Sequence, residues 1–259
     1  MNIRTHIHTN GWCEYKIGSG EPIIMLHGFG YSAEIMFPLA LILSNYFEIR
    51  LFDLPGMGQS ISNISEISLD SITSALALLV PDKAHYLGWS LGGLFTQYYA
   101  YKFPDKTNKL ISVATTPCFM EHDHWPGLSS IILNQFKNNL HLNFEATLKK
   151  FIWEQLYDRN KALYLDIVEL VFKNIVRFKN VYSVYLDLLI NINLIPYLPS
   201  INVQQLYLTG TNDILVPSNL NLEPYNKNIK QIQLNCGHLP FVSHLNETAL
   251  IIKDFLYAK

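Results

Sequence analysis

The chain has 259 residues, which suits one α/β domain with an insertion, and 49% of them are hydrophobic, enough for a large core. The formal net charge of −2 gives no reason to expect nucleic-acid binding, and no apolar run approaches the ~20 residues that span a bilayer. The segment Met1–Trp12 is polar and lacks an apolar h-region, so we expect no signal peptide. Cys13, Cys118 and Cys236 are widely spaced and odd in number, which favours free thiols in a cytoplasmic protein.

Short apolar runs alternate with helical patterns along the chain. This alternation predicts an α/β fold with a mostly parallel central sheet that helices cover on both faces. The predicted strands are Trp12–Ile17, Ile23–Leu26, Phe47–Phe52, Ala84–Leu87, Leu110–Ala114, Val203–Leu208 and Ile229–Leu234. The predicted helices outside the insertion described next are Ala33–Ser44, Leu69–Leu79, Leu91–Phe103 and Glu247–Tyr257.

The segment 118–198 interrupts this alternation because it contains no convincing strand. Its apolar residues form two stripes at helical spacing, Leu148, Phe151, Ile152 and Leu156, then Leu163, Ile167, Leu170, Val171 and Ile175. Ordinary helix packing explains most of these residues. As a unit, an all-helical insertion predicts a cap over the carboxyl ends of the strands, where such sheets bind ligands. We therefore expect a core of residues 1–117 and 199–259 with a helical cap of residues 118–198.

One five-residue pattern stands between a predicted strand and a predicted helix: Gly88-Trp89-Ser90-Leu91-Gly92. In an arbitrary loop such a pattern usually has no catalytic role. Here the strand before it and the helix after it predict a nucleophile elbow, a sharp turn that exposes the hydroxyl of Ser90 above the sheet. Glycine is needed on both sides because a Cβ atom there would collide with the neighbouring strand and helix.

A serine hydroxyl is a poor nucleophile at neutral pH, so it needs a base and a carboxylate that orients the base. Asp213 follows one predicted strand and His238 follows the last one. Alone, Asp213 would be read as an Asx-turn residue and His238 as a structural histidine. With Ser90 before them, the chain order Ser, Asp, His predicts a catalytic triad.

Acyl transfer also needs two backbone N–H donors for the oxyanion. The residue after the nucleophile, Leu91, is one candidate, and Phe29 in the turn His27-Gly28-Phe29-Gly30 is the other. Asp53 also lies at a strand end and is read as a structural turn carboxylate. The run Glu121-His122-Asp123-His124 has the composition of a metal site but lies in a loop without a third-ligand motif, so we expect no metal.

Further motifs extend from about residue 22 to 127 and from about residue 203 to the end of the chain. They include Asp53-Leu54-Pro55-Gly56-Met57-Gly58-Gln59-Ser60, Val113-Ala114-Thr115-Thr116-Pro117-Cys118-Phe119, Trp125-Pro126-Gly127, Asp213-Ile214-Leu215-Val216-Pro217 and Gly237-His238-Leu239-Pro240-Phe241. With these motifs the chain resembles the α/β-hydrolases and, more closely, the pimeloyl-[acyl-carrier protein] methyl ester esterases of biotin synthesis.

That resemblance implies a serine ester hydrolase that needs no cofactor, with its triad and oxyanion donors on the five residues already named. The implied substrate is the methyl ester of a pimeloyl chain carried by an acidic acyl-carrier protein, and the implied products are pimeloyl-[acyl-carrier protein] and methanol. The implied substrate-binding residues are Phe29, Trp89, Leu91 and Phe151. We expect a monomer without nucleic-acid or membrane partners.

The cap is the basic part of the chain. Between Lys137 and Lys179 there are eight Lys or Arg against five Asp or Glu, whereas the rest of the chain has 11 against 16. A positive cap on a negative body would attract an acidic carrier protein, and the candidate docking residues are Lys149, Lys150, Arg159 and Lys161. A solvated helix face accounts for the same charges equally well.

Three alternatives stay open at the level of the sequence. The first is a generalist short-chain carboxylesterase or a C–C hydrolase of the same fold. The second is a dehalogenase or epoxide hydrolase, which Ser90 argues against because those enzymes carry Asp at the elbow. The third is a binding protein that kept the pocket without catalysis, which the complete triad argues against.

Overall fold

The computed structural model describes residues 3–61, 67–173 and 180–258. Its centre is an eight-stranded sheet with the order β1-β2-β4-β3-β5-β6-β7-β8. The strands are β1 Arg4–Ile7, β2 Cys13–Ile17, β3 Pro22–Leu26, β4 Glu48–Phe52, β5 Ala84–Trp89, β6 Thr107–Val113, β7 Gln204–Gly210 and β8 Ile229–Leu234. β1 and β2 pair antiparallel at one edge, and all pairs from β4 to β8 are parallel. The predicted mostly parallel α/β sheet is therefore confirmed.

Helices follow the strands and bury their apolar faces against the sheet. The helices are α1 Phe37–Leu43, α2 Leu69–Ala77, α3 Leu91–Lys102, α4 Ser130–Leu142, α5 Phe144–Gln155, α6 Lys161–Lys173, α7 Asn180–Asn191, α8 Pro240–Ser243 and α9 Leu245–Tyr257. β3 and β5 are almost wholly buried, which is typical of parallel strands covered on both faces. The carboxyl ends of β3 to β8 consequently share one edge of the sheet.

The segment between β6 and β7 is helical, as the apolar spacing indicates. Helices α4 to α7 pack on one another, and a 3₁₀ helix over Ile195–Ser200 leads back into β7. The first predicted stripe lies on α5, with Leu156 just beyond its end, and the second lies on α6. Ile175 of that stripe, and Lys179 at the end of the basic segment, lie outside the described residues.

Several features of the fold differ from the predicted elements, and the short helix α8 was not predicted. β1 was not predicted, because all four of its residues are exposed and it shows no apolar alternation. The predicted helix Ala33–Ser44 begins as a 3₁₀ turn over Ala33–Met36, with Pro38 near the start of α1. β6 begins at Thr107, three residues earlier than predicted. Within the described ranges, no helix combines the length and apolarity needed to cross a bilayer.

Candidate functional site

Ser90 occupies a sharp turn between β5 and α3. Its backbone has φ +53° and ψ −121°, a strained conformation that L-residues rarely adopt and that clusters at functional sites. The turn needs its glycines, because a Cβ on Gly88 would lie 2.5 Å from the carbonyl oxygen of Gly92, and one on Gly92 would collide with the carbonyl oxygen of Leu26. The backbone N–H of Ser90 donates to the carbonyl oxygen of Val113 at 3.0 Å, which ties the turn to β6. This is the geometry of a nucleophile elbow.

Asp213 and His238 meet at the carboxyl ends of β7 and β8. Their Oδ2 and Nδ1 atoms are 2.8 Å apart, and both side chains are buried. The other carboxylate oxygen of Asp213 accepts the N–H groups of Leu215 at 2.8 Å and Val216 at 3.2 Å, so the loop itself holds the carboxylate in place. Because Nδ1 of His238 donates to Asp213, the neutral ring presents the lone pair of Nε2 as a base.

Two further residues hold the backbone of His238. The indole Nε1 of Trp89 donates to the carbonyl oxygen of His238 at 2.9 Å. The N–H of His238 donates to the carbonyl oxygen of Gln155 at 3.3 Å, so the end of α5 lies directly against the histidine loop. Gly237 permits this approach, because a Cβ on it would lie 2.7 Å from the same Gln155 oxygen.

The loop after β3 lies beside Ser90. A Cβ on Gly28 would be 3.0 Å from the Cβ of Ser90 and from the ring of Trp89, so the backbone passes within contact distance of the nucleophile. Gly30 turns the chain with φ +83°. Leu91 is the first residue of α3, and its N–H is therefore among the four that have no acceptor within a helix. The structure thus brings Phe29, Leu91 and Ser90 to the same edge of the sheet as Asp213 and His238.

Aromatic rings surround Phe29. Its ring centroid is 6.1 Å from that of Phe136 on α4, 5.9 Å from Phe151 on α5 and 5.8 Å from Tyr182 on α7. The rings of Phe136 and Phe151 are themselves 5.1 Å apart. Three helices of the insertion therefore supply an apolar wall around Phe29, which lies in the loop after β3.

Trp89 is completely buried under the site. Its ring centroid lies 4.9 Å from that of Tyr31, 5.1 Å from Phe241 and 5.6 Å from the imidazole of His238. Tyr31 also donates its hydroxyl to Oε1 of Gln155 at 3.2 Å. Trp89, which the resemblance assigns to the acyl pocket, therefore also supports His238.

The four candidate docking residues lie on the insertion and are exposed. Nζ of Lys149 lies 3.9 Å from Oε2 of Glu145 and 5.0 Å from the ring centroid of Phe172. Nζ of Lys150 lies 3.6 Å from Oε1 of Glu154. Arg159, with φ +47°, and Lys161 at the start of α6 make no ion pair within the described part of the chain. Within the described residues, acidic neighbours therefore offset the charges of Lys149 and Lys150 but not those of Arg159 and Lys161.

Other nucleophile and metal chemistries find little support. Burial raises the pKa of Cys236 to about 12 and that of Cys13 to about 11, so both stay protonated thiols at neutral pH. Cys118 is likewise buried, and burial raises its pKa. Among the described residues, no group of three or more His, Cys, Asp or Glu is arranged to hold a metal ion, the run Glu121–His124 included.

Sequence reasoning missed four residues that contact the site: Tyr31, Phe136, Gln155 and Tyr182. Tyr31 directly follows the turn of Phe29, and its position could have drawn attention to it. Phe136 and Gln155 lie on helices of the insertion, where their contacts to Phe29 and His238 depend on how those helices fold over the sheet. A backbone hydrogen bond such as that of Gln155 leaves no trace in the residue type.

The chain is similar to known proteins over most of its length. A family model described as alpha/beta hydrolase fold matches residues 21–245. The pimeloyl-[acyl-carrier protein] methyl ester esterase of Wigglesworthia glossinidia brevipalpis is 35% identical over 93% of this chain and 95% of its own length. The enzyme of that name from Serratia marcescens is 32% identical over 93% of this chain and 96% of its own.

Solved structures show the same fold at low sequence identity. An esterase from Exiguobacterium antarcticum superposes with a TM-score of 0.87 at 18% identity, covering 98% of this chain and 99% of its own. The enol-lactonase of Burkholderia xenovorans LB400 gives 0.82 at 19% identity, covering 96% and 98%. At these identities the likeness concerns the fold alone.

Proposed function

The chain belongs to the alpha/beta-hydrolase family and, within it, to the pimeloyl-[acyl-carrier protein] methyl ester esterases, and on this premise we propose how it acts. It is a carboxylic ester hydrolase that cleaves the methyl ester of pimeloyl-[acyl-carrier protein] with water, and it releases methanol and the free carboxylate. One observation carries the assignment of chemistry to residues. The buried Asp213–His238 pair, at 2.8 Å, lies at the same edge of the sheet as a serine held at φ +53° in an elbow.

In the first half-reaction, Oγ of Ser90 attacks the ester carbonyl carbon while Nε2 of His238 takes the serine proton. The oxyanion that forms accepts hydrogen bonds from the N–H groups of Phe29 and Leu91. Collapse of the tetrahedral intermediate breaks the bond to the methoxy oxygen. His238 returns the proton to that oxygen, so methanol leaves and the acyl chain remains on Ser90.

In the second half-reaction, water replaces methanol. His238 takes a proton from the water as its oxygen attacks the acyl carbon, and the second tetrahedral intermediate uses the same two N–H donors. Its collapse breaks the bond to Oγ of Ser90, which regains the proton from His238. Asp213 stabilises the imidazolium in both halves and holds the ring in one tautomer.

The apolar wall formed by Phe29, Phe136, Phe151 and Tyr182 suits the methylene chain of a pimeloyl group. Such a chain has no hydrogen-bonding groups between its two ends, so burial against aromatic rings is the main contribution to its binding. We propose that helices α4 to α7 act as the cap that supplies this wall, with residues 118–198 as the cap domain.

The carrier protein would dock on the basic residues of the cap. Arg159 and Lys161 are exposed and free of ion pairs within the described ranges, whereas Lys149 and Lys150 share their charge with Glu145 and Glu154. We therefore rank Arg159 and Lys161 as the main contributors to electrostatic attraction of an acidic carrier. With its three buried free thiols, the protein suits a reducing compartment, and we propose that it acts in the cytoplasm as a monomer.

The test compares three substrates on the purified protein: the pimeloyl-carrier-protein methyl ester, free dimethyl pimelate and p-nitrophenyl acetate. Rapid cleavage of the carrier-bound ester that disappears in Ser90→Ala supports the proposal. Cleavage of the small esters alone would assign a generalist esterase, and a C–C bond substrate cleaved in preference to all three would assign a C–C hydrolase. A parent protein that neither hydrolyses esters nor reacts with a fluorophosphonate probe would be a binding protein.

Docking is tested separately with the double variant Arg159→Glu/Lys161→Glu. We expect its KM to rise about tenfold for the carrier-bound ester at low salt and to stay unchanged for free dimethyl pimelate. Lys230→Glu is the matched control, because Lys230 is exposed near the start of β8, at the opposite edge of the sheet from Ser90. Equal effects of the two changes would remove the cap from the docking proposal.

A further inference from the structure

His27 occupies a buried position between the loop after β3 and the loop after β4. Its Nδ1 lies 2.9 Å from the carbonyl oxygen of Gly28, and its Nε2 lies 3.0 Å from the backbone nitrogen of Leu54. A carbonyl oxygen can only accept and a peptide N–H can only donate. The ring is therefore the neutral tautomer with its proton on Nδ1, and burial lowers the pKa of His27 to about 4, which keeps it neutral at physiological pH.

The bond to Gly28 fixes the orientation of one peptide group. In a planar trans peptide the C=O of one residue and the N–H of the next point in opposite directions. The carbonyl oxygen of Gly28 accepts from Nδ1 of His27 and, at 3.4 Å, from the N–H of Tyr31. The N–H of the same peptide belongs to Phe29, and it must therefore face away from the imidazole. This peptide begins at Gly28, where an added Cβ would lie 3.0 Å from the Cβ of Ser90 and from the ring of Trp89.

The imidazole is itself held by the end of β4. Leu54 donates its N–H to Nε2 of His27, and the neighbouring carboxylate of Asp53 accepts the N–H of Ala33 at 2.7 Å. The loop from His27 to Ala33 is thus attached to β4 near both of its ends. Asp53 is fixed in turn by the N–H of Gln59, at 2.8 Å. A rigid frame behind the loop leaves the Gly28–Phe29 peptide little freedom to rotate.

We propose that His27 is a positioning residue for the oxyanion hole. Its Nδ1–H holds the Gly28–Phe29 peptide so that the N–H of Phe29 faces the tetrahedral intermediate on Ser90, and the N–H of Leu54 holds the imidazole for that task. The inference rests on the proposed ester hydrolysis and adds a residue that acts through a peptide group without touching the substrate.

Two variants of His27 separate positioning from support of the fold. In His27→Asn, the side-chain amide nitrogen can take the place of Nδ1 and still donate to the carbonyl oxygen of Gly28. In His27→Gln, the longer amide reaches towards Leu54 and loses that donor position. For each variant, kcat and KM are measured for hydrolysis of p-nitrophenyl butyrate, together with the thermal midpoint of unfolding.

We expect His27→Gln to lower kcat about 10²-fold with KM within about threefold, since loss of one oxyanion donor lowers kcat by roughly 10²–10³-fold. The kcat of His27→Asn should be at least about tenfold higher than that of His27→Gln, although its thermal midpoint is equal or lower. Equal kcat losses in the two variants, or losses that follow the thermal midpoint, would overturn the positioning role.

A measurement on the unaltered protein keeps the inference testable if neither variant folds. In ¹⁵N-edited NMR spectra, the ring proton of His27 should be on Nδ1. Addition of phenylboronic acid, which forms a tetrahedral adduct with an active-site serine, should shift both this resonance and the amide resonance of Phe29. A proton on Nε2, or an adduct that leaves both resonances unchanged, contradicts the proposal.

The two proposals fail in different ways. If Ser90→Ala keeps full hydrolysis, the proposed function fails, and the His27 assignment fails with it. If Ser90 reacts with a fluorophosphonate and hydrolyses small esters but leaves the carrier-bound ester intact, only the proposed substrate fails.

Discussion

Substitution of Gly237 by alanine tests whether the end of α5 sets the position of the catalytic histidine. The new Cβ would lie 2.7 Å from the carbonyl oxygen of Gln155, 3.2 Å from the nitrogen of Tyr157 and 3.3 Å from its Cβ. The first distance is roughly 0.7 Å short of ordinary contact. Because this oxygen also accepts the N–H of His238, relief of the overlap must move the histidine backbone or the end of α5.

The structure allows an estimate of both consequences. Overpacking of a buried backbone position costs about 1–3 kcal/mol of stability. A displacement of the catalytic group approaching ~1 Å lowers the rate by as much as ~10²-fold. We therefore expect Gly237→Ala to lower kcat between about 10- and 100-fold, while KM for a short ester changes little because the apolar wall around Phe29 is untouched.

The assay is steady-state hydrolysis of p-nitrophenyl butyrate, with urea unfolding of the same preparations. Gly18→Ala is the matched control. Its backbone has φ +82°, and its Cβ would collide with the carbonyl oxygen of Phe47 and lie 2.7 Å from that of Ser44, but it precedes β3 at the opposite edge of the sheet from Ser90. It should lose stability and keep kcat. A Gly237→Ala protein with parental kcat, or a Gly18→Ala protein with the same loss of kcat, would refute the reasoning.

Three shorter predictions follow from the contacts. Trp89→Phe leaves the buried carbonyl oxygen of His238 without its indole donor, so it should lose about 1–3 kcal/mol in urea unfolding and about tenfold in kcat; an unchanged kcat would mean that this bond does not position the histidine. Phe151→Ala should raise KM about tenfold for p-nitrophenyl octanoate and leave the acetate ester unaffected, since only the longer chain reaches the aromatic wall; equal changes for both esters would contradict the wall. The third prediction concerns the stability of the fold at acidic pH. Burial lowers the pKa of His27 from 6.5 to about 4, so between pH 7 and pH 5 the unfolded chain binds a proton at this residue that the folded chain does not. The parent therefore loses about 2 kcal/mol of its free energy of unfolding over this range, and His27→Asn does not. Burial raises the pKa of Asp53 to about 6, which acts in the opposite direction in both proteins, so only their difference is diagnostic in chemical unfolding at the two pH values; identical pH dependences would exclude His27 as the source.

Patterns confined to neighbouring residues predicted most of the sheet. Strands such as β3 and β5 are short continuous apolar runs because helices cover both of their faces, and that burial is visible in the residues themselves. β1 escaped prediction for the opposite reason. Its residues are all exposed, and only its backbone pairing with β2 makes it a strand.

The candidate triad was predictable because each member has a local signal. The elbow requires glycines at Gly88 and Gly92 for steric reasons, and Asp213 and His238 each follow an apolar run in the order that this fold uses. Parallel strands carry their carboxyl ends to one edge, so strand prediction already implied that the three residues would approach one another.

What supports those residues was decided by tertiary structure alone. The bond from Trp89 to His238 spans 149 positions, and that from Tyr31 to Gln155 spans 124. Gln155 supports the histidine through its carbonyl oxygen, a group that every residue possesses, and His27 acts through a peptide group in the same way. The amino-acid sequence determined which groups can react, because reactivity belongs to side chains and their immediate turns. The packing of the helical insertion over the sheet determined how those groups are held, because backbone hydrogen bonds between distant segments carry no signature in residue type.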